Sequence, residues 1–503
     1  MTAKIKTFSF LGIETLDVDV QVKMSPGLPG VTIVGLPDKA INEAKERVRL
    51  AISSLGIPWP QKRITVNMAP ADLRKEGSHY DLAISLAILI EMEILEQKDL
   101  ENFYAFGELS LDGEVLPVNG IISSAIGANQ KKYNIICPKE NGSEARWASK
   151  DLNIIATPSL LSLINHLKGE ENLPNPEIKN ISQILQYPDM DEIKGQENAK
   201  RALEITAAGG HNLLMSGPPG TGKSMLASRL PSILPKLELE EILEINMIHS
   251  VSGRLKDDQL ITARPYRDPH HSCSMPAMVG GGSKAKLGET SLACNGVLFL
   301  DELPEFPRQV LDSLRQPIEA GKVSISRANC HVTYPANFQL IAAMNPCRCG
   351  FLGNKEKECN RAPSCGQDYQ NKISGPMLDR IDIIIEVPQV NIFASNHHKS
   401  ESSTKIREKV INARQIQQNR YKNEEKQVSK QNNAKINSKI FEKHLFLSEK
   451  SQEIIEKSAN CGQFSMRGIS RILRVARTIA DLANSQKVEK NHILEAISYR
   501  REI

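Results

Sequence analysis

From Gly217 to Ser224 the chain reads Gly217-Pro218-Pro219-Gly220-Thr221-Gly222-Lys223-Ser224, with a glycine, four residues, then Gly-Lys-Ser. This spacing belongs to loops that wrap phosphate groups, provided that a strand precedes the loop and a helix follows it. Both conditions are met in the sequence. Residues 211–216 read as a short buried strand ahead of the loop, and Met225 to Leu230 read as the opening turns of a helix. The glycines let the backbone bend so that amide N–H groups face phosphate oxygens. The helix N-terminus adds its partial positive charge. Lys223 is then expected to reach the β- and γ-phosphates of ATP, and Ser224 to ligate Mg²⁺.

A nucleotide hydrolase also needs carboxylates at the end of a neighbouring strand. Val297 to Leu300 is an apolar run that ends in Asp301 and Glu302. Asp301 is the expected Mg²⁺ partner, and Glu302 the base that orients the attacking water. A third strand, Gln339 to Met344, ends in Asn345, which is expected either to contact the γ-phosphate or water, or to cap a following helix. Arg380 lies just before the strand Ile383–Val387. It fits an arginine finger reaching a neighbouring subunit, or a local ion pair with Asp379 or Asp382.

The rest of the chain divides around this centre. Residues 1–165 alternate strand runs (Val18 to Val22, Val31 to Val34) with a helix predicted over Asp38 to Leu55. Residues 166–188 are polar and rich in Pro and Asn, a linker by composition. Residues 189–390 hold the phosphate loop and the acidic strand, and residues 391–503 read as helical; the polar stretch 394–440 is expected as an exposed helix with a mobile section around Glu424 to Lys435. Near the C-terminus Arg467, Arg471, Arg474 and Arg477 recur at spacings of four and three. They read as a solvated basic face, or as a lid from which Arg467, or Arg471, reaches the nucleotide. The net charge of +4 announces no global affinity for nucleic acid. The run Leu82 to Ile90 is too short to cross a bilayer, and no signal-peptide core follows Met1, so a cytoplasmic location is expected.

Of nine cysteines, Cys347, Cys349, Cys359 and Cys365 fall within nineteen residues of one another. Four thiolates can close a tetrahedral shell around structural zinc; the alternative is a set of free thiols in a surface loop. The other five are expected to be buried small side chains.

The order of these segments resembles the AAA+ ATPases, and more closely the magnesium-chelatase-like family of the ComM/YifB competence type. The segments carrying the likeness are 193–204, 208–214, 264–272, 296–306, 314–317 and 344–347. The resemblance implies an α/β fold: a P-loop core with a helical lid, preceded by an α+β domain of the ribosomal-S5/Lon-protease type. It implies a homo-oligomeric ring, a hexamer, with ATP at subunit interfaces, which favours the finger role of Arg380. It also implies a motor on single-stranded or branched DNA, driving branch migration in natural transformation. In the protease relatives a catalytic Ser and Lys occupy places taken here by His79 (with Ser78 beside it) and Ile122, so no Ser–Lys dyad is expected and the N-terminal domain is read as non-catalytic.

Between the phosphate loop and Asp301, a ring motor would place loops that grip backbone phosphates. Arg264, Arg267, Lys284 and Lys286 are the candidates, the lysines on a glycine-rich stretch from Gly280 to Gly282. His270 and His271 could add to the grip, line an interface, or bind metal. Tyr266 alone offers stacking there, so phosphate tracking is favoured over base reading. Two other activities stay open: a chelatase-type ATPase that remodels a protein partner, and an unfoldase without peptide cleavage.

Overall fold

Along the strand Glu14–Ser25, Val18, Val20 and Val22 are fully buried while Asp17 and Lys23 face solvent, the two-residue alternation of a sheet with one packed face. The computed structural model describes residues 2–178, 187–255, 260–282, 285–327, 330–352, 359–390, 401–424, 431–460 and 464–500. They form two bodies: residues 1–183 with 239–262, and residues 184–238 with 263–503.

The first body is built on a seven-stranded sheet in the order Gly30–Val34, Arg63–Ala69, Glu14–Ser25, Ala3–Leu11, Phe103–Ala105, Asn134–Pro138, Ile154–Thr157. Its middle strands pair antiparallel and its far end is parallel. The helix predicted over Asp38 to Leu55 runs Lys39–Ser54, with the Asp38 carboxylate accepting the Ile41 amide at 2.9 Å as its cap. The Asp81–Glu91 helix is apolar nearly all round and buried from Asp81 to Leu89.

Two features of this body redraw the expected boundaries. The stretch expected as a linker from 166 is tied down in its first part: Asn175 accepts the Ile154 amide at 2.8 Å and Pro176 accepts from Arg146 at 3.1 Å. Its residues 179–186 lie outside the described ones. The Leu239–Val251 helix, expected in the ATPase core, instead packs on the Ile121–Gln130 helix, where Ser250 accepts the Gly120 amide at 3.0 Å.

At the position compared with a protease nucleophile, His79 is buried and its Nε2–H donates to the Phe8 carbonyl at 3.0 Å; Ser78 donates to Glu108, and Ile122 is buried. Burial lowers the His79 imidazole from 6.5 to about 4, against the weaker pull of the Phe8 bond and Asp38. The unfolded chain therefore takes up a proton first. Stability is full above about pH 6.5 and is lost as pH falls towards 4, by about 2 kcal/mol at pH 5. Melting curves across that window should show a steeper loss in the native protein than in His79→Gln. Equal slopes would remove His79 as the cause.

In the second body five strands are all parallel, in the order Tyr266–Arg267, Val297–Leu300, Gln339–Met344, Leu213–Ser216, Ile383–Glu386. The three central strands are apolar apart from Ser216 and Gln339 at strand ends, and nearly wholly buried, as sheets covered on both faces require. The C-terminal helices do not stand apart. Val410, Ala413, Ile472, Val475 and Ile479 share one core with Leu213, Met215, Phe299 and Ile341. The Ser403–Tyr421 helix, expected to be exposed, buries Ile406, Val410, Ala413, Gln417 and Tyr421. Of the stretch expected to be mobile, residues 425–430 lie outside the described ones. Asn433, however, is buried and donates to Thr478 at 3.1 Å and to Asp481 at 2.8 Å. No described helix is long and apolar enough to cross a membrane.

Candidate active site

Strand register assembles the site. Ser216 lies opposite both Met344 and Glu386, and Leu300 opposite Ala342. The residues that follow these strands, Gly217, Asn345 and Asp301, therefore emerge together at the carboxyl edge of the sheet, where parallel sheets open a crevice. The helix Lys223–Ile233 starts at that edge.

The side chains converge accordingly. Lys223 Nζ donates to the Gly217 carbonyl (2.7 Å), the Pro218 carbonyl (2.9 Å) and Asn345 Oδ1 (3.2 Å). Asn345 is thus a partner of the lysine, not a helix cap. Thr221 Oγ1 ties the loop by donating to Pro218 at 3.0 Å. Ser224 Oγ donates to Asp301 Oδ2 at 2.7 Å. Burial lowers the Lys223 ammonium from its ordinary value, while Asp301 holds it up.

These residues fit a magnesium nucleotide. Ser224 and Asp301 offer the hard oxygens Mg²⁺ takes. Gly220 and Gly222 hold φ of +75° and +86°, and no atom lies within 4 Å of where a side chain would begin, so the loop stays open to a phosphate.

Glu302 takes the left-handed conformation (φ 52°, ψ 47°) directly after the strand, its amide held by Asp301 Oδ1 at 2.9 Å. That turn parts the two carboxylates: Asp301 faces Ser224, and Glu302 faces His271, whose Nδ1 stands 3.3 Å from Glu302 Oε2. Sequence reasoning singled out His271 for metal or phosphate and missed this contact. Its position just beyond the Tyr266–Arg267 strand, on the same sheet edge, was the available signal.

The arginines are placed differently from expectation. Arg380 is buried and pairs with neither Asp379 nor Asp382. It contacts Glu319 Oε1 at 2.6 Å and donates to the carbonyls of Pro376 (2.6 Å) and Arg315 (3.3 Å). Asp382 is taken instead by Arg471, His211 and the Asn212 amide. Burial pushes its carboxyl up, but Arg471, His211 and Asn212 together outweigh that and hold it far below the usual range. Arg471 is thus a partner of Asp382. Arg467 is exposed, 3.9 Å from Asp379. Arg474 and Arg477 do not form a solvated face. Arg474 donates to the Asn433 carbonyl at 2.6 Å and Arg477 to Asp481 at 2.9 Å, both buried.

Of the candidate phosphate grips, Arg264 donates to Pro235 (2.8 Å) and Asn295 (2.7 Å), and Arg267 forks onto Glu289 at 2.6 and 3.0 Å. Both guanidinia are engaged internally. Lys284 lies outside the described residues. Lys286 is exposed on a turn that pairs with Gly281. That turn rests on the hairpin of Lys322–Arg327 and Cys330–Pro335, where Tyr334 donates to the Ala285 carbonyl at 3.1 Å.

Cys347, Cys349 and Cys365 bring their sulfurs within 4.8 Å of one another, and Cys359 lies near Cys349 and Cys365. The bond from Cys347, at 3.0 Å, pulls the Cys349 thiol below its ordinary value. Elsewhere Cys137 and Cys294 are buried as expected, but Cys273 is half-exposed. Cys461 lies outside the described residues, as does the side chain of Cys330.

Residues 189–394 match the family model "Magnesium chelatase, subunit ChlI", with 20–141 matching "Subunit ChlI of Mg-chelatase" and 400–500 "Magnesium chelatase, subunit ChlI C-terminal". Competence protein ComM of Haemophilus influenzae is 44% identical over 97% of this chain and 96% of its own length. The chain belongs to the magnesium-chelatase-like ComM/YifB family. YifB of Salmonella typhimurium is 43% identical over 99% of this chain and 97% of its own, and YifB of Escherichia coli 42% over 99% and 96%. Family membership implies an ATPase, with ATP and Mg²⁺ as its cofactors.

Proposed function

We propose that this ComM/YifB-family protein is an ATP-hydrolysing ring motor that moves single-stranded or branched DNA in the cytoplasm, by helicase action or branch migration during transformation and recombination. In this reading the second body is an AAA+ core with its helical lid, and the first is an S5/Lon-like domain without peptidase chemistry. The observation that carries it is the convergence of Lys223, Asn345, Ser224 and Asp301 at one edge of the parallel sheet. The name of the relative Competence protein ComM supports a role in competence, with which movement of incoming DNA is consistent.

Bound Mg²⁺ would neutralise phosphate charge as the terminal phosphoryl group leaves. The chain's own residues do the rest. Lys223 exchanges its carbonyl partners for phosphate oxygens, and the open loop amides wrap them. Asn345 keeps the lysine aimed across the crevice. Glu302 orients water and accepts its proton once it swings from His271. Arg380 acts on the nucleotide of the next subunit in a hexamer, released from Glu319 when the subunits meet. Arg467, exposed on the lid, is a second cation for that nucleotide. Lys286, backed by the hairpin, touches DNA backbone phosphates.

The test is ATPase rate with and without single-stranded or forked DNA, together with strand exchange on three-stranded junctions. DNA should raise the rate several-fold and junctions should be resolved in an ATP-dependent way. The chelatase-subunit family models favour a second reading, an ATPase that remodels a protein partner. Indifference to every DNA, with a monomeric chain at saturating ATP, would sink the motor and leave that reading.

A further inference from the structure

The four-thiol cluster lies beside the phosphate loop, and the two are joined by a short rigid path. Asn345, which accepts from Lys223 Nζ at 3.2 Å, is two residues before Cys347. The chain then makes a tight turn, in which the Gly350 amide donates to the Cys347 carbonyl at 3.0 Å. Gly350 sits at φ +84°, and a side chain added there would begin 2.8 Å from Pro219 Cδ of the phosphate loop. The turn therefore presses directly on the loop, with Cys347 buried behind it and Cys349 on its rim.

The other two thiols come from further along the chain and close on the same point. Cys365 opens the Ser364–Gln370 helix, whose Gln370 reaches back to the Pro346 carbonyl at 3.5 Å and whose Gly366 packs under Leu352. Cys359 begins the turn that leads into that helix, its carbonyl accepting the Ala362 amide at 3.0 Å, and its thiol lies near those of Cys349 and Cys365. The Cys347–Cys349 separation of 3.0 Å is too long for a disulfide, whose sulfurs stand about 2.05 Å apart. A tetrahedral zinc thiolate site, with bonds of about 2.3 Å, sets its sulfurs about 3.8 Å apart. The observed thiols, at 3.0 Å for that pair and within 4.8 Å for three of them, bracket that spacing. Small shifts bring these three sulfurs to that spacing, with Cys359 supplying the fourth.

We infer that Cys347, Cys349, Cys359 and Cys365 hold a zinc ion that clamps the turn from Pro346 to Gly350 against Pro219, so that metal loading sets the shape of the phosphate loop. The zinc is structural, with all four positions filled by thiolates and none left for water. Its link to nucleotide binding rests on the reading of residues 217–224 as an ATP site; the metal content does not.

The test uses the full chain, untagged and kept reduced. Elemental analysis should find one zinc per chain, and replacement by Co²⁺ should give the visible bands of a tetrahedral tetrathiolate. Cys359→Ser should lose both signals. Metal-free wild-type protein, stripped with a mercurial and a chelator, should bind a fluorescent ATP analogue about tenfold more weakly and recover on zinc addition. Gly350→Ala should keep its zinc and still bind the analogue more weakly, because the clash with Pro219 displaces the turn. Absence of zinc and of the Co²⁺ spectrum in the reduced wild-type chain would overturn the site. Full zinc with unchanged nucleotide affinity after stripping would overturn the clamp. Stripping the folded wild-type chain makes the result independent of whether the cysteine variant folds.

Discussion

Glu302→Gln is expected to bind ATP normally and hydrolyse it roughly 10²–10⁴-fold more slowly, the usual contribution of a positioned general base. The substitution keeps the shape of the side chain and removes its basicity. The turn that aims it depends on the backbone, through the left-handed conformation and the Asp301 bond to the residue 302 amide, so the geometry should survive. Ser224 and Asp301 are untouched, which leaves Mg²⁺ and phosphate binding in place. Trapped nucleotide should accumulate on the protein, seen as retained ATP after gel filtration and as a persistent oligomer. Turnover at the native rate would show that another group activates the water.

Lys223→Ala should lose nucleotide binding and, with it, turnover, by at least about 10²-fold. Lys223 is the one cation bonded to both the loop carbonyls and Asn345 among the described residues, so its loss removes the charge aimed at the phosphates and unties the loop from the neighbouring strand. The effect should appear in the affinity for a fluorescent ATP analogue. The melting temperature should move little, since the sheet beneath is held by its own apolar core. Mixed with Arg380→Ala, this variant should regain part of its activity. One mixed interface then combines an intact Lys223 with an intact Arg380. No recovery on mixing would confine Arg380 to its pairing with Glu319.

Much of the site was legible because its constraints are local. The glycine spacing of the phosphate loop, the Asp301-Glu302 pair after an apolar run and the Asn345 strand end each depend on a few consecutive residues, and all are placed together by strand register. The Lys39–Ser54 helix, predicted over Asp38 to Leu55, was legible for the same reason. What could not be read was which acceptors, distant in the chain, the arginines take. Arg380 was weighed against Asp379 and Asp382 because they are adjacent. Its carboxylate, Glu319, lies some sixty residues upstream on another helix. Arg264 and Arg267 looked free to grip phosphates until their acceptors at Asn295 and Glu289 came into view.

The chain alone determined that a phosphate loop, an acidic strand end and a polar strand end would exist, since each is written in short runs whose backbone geometry permits little else. Only the folded structure decided which charges are spent internally. A charged side chain removed from water takes whatever partner the packing supplies, at any separation in sequence. For that reason Arg474 and Arg477 turned out to be buried struts. Packing likewise decided that Glu302 faces His271 and that the Leu239–Val251 helix groups with the N-terminal body.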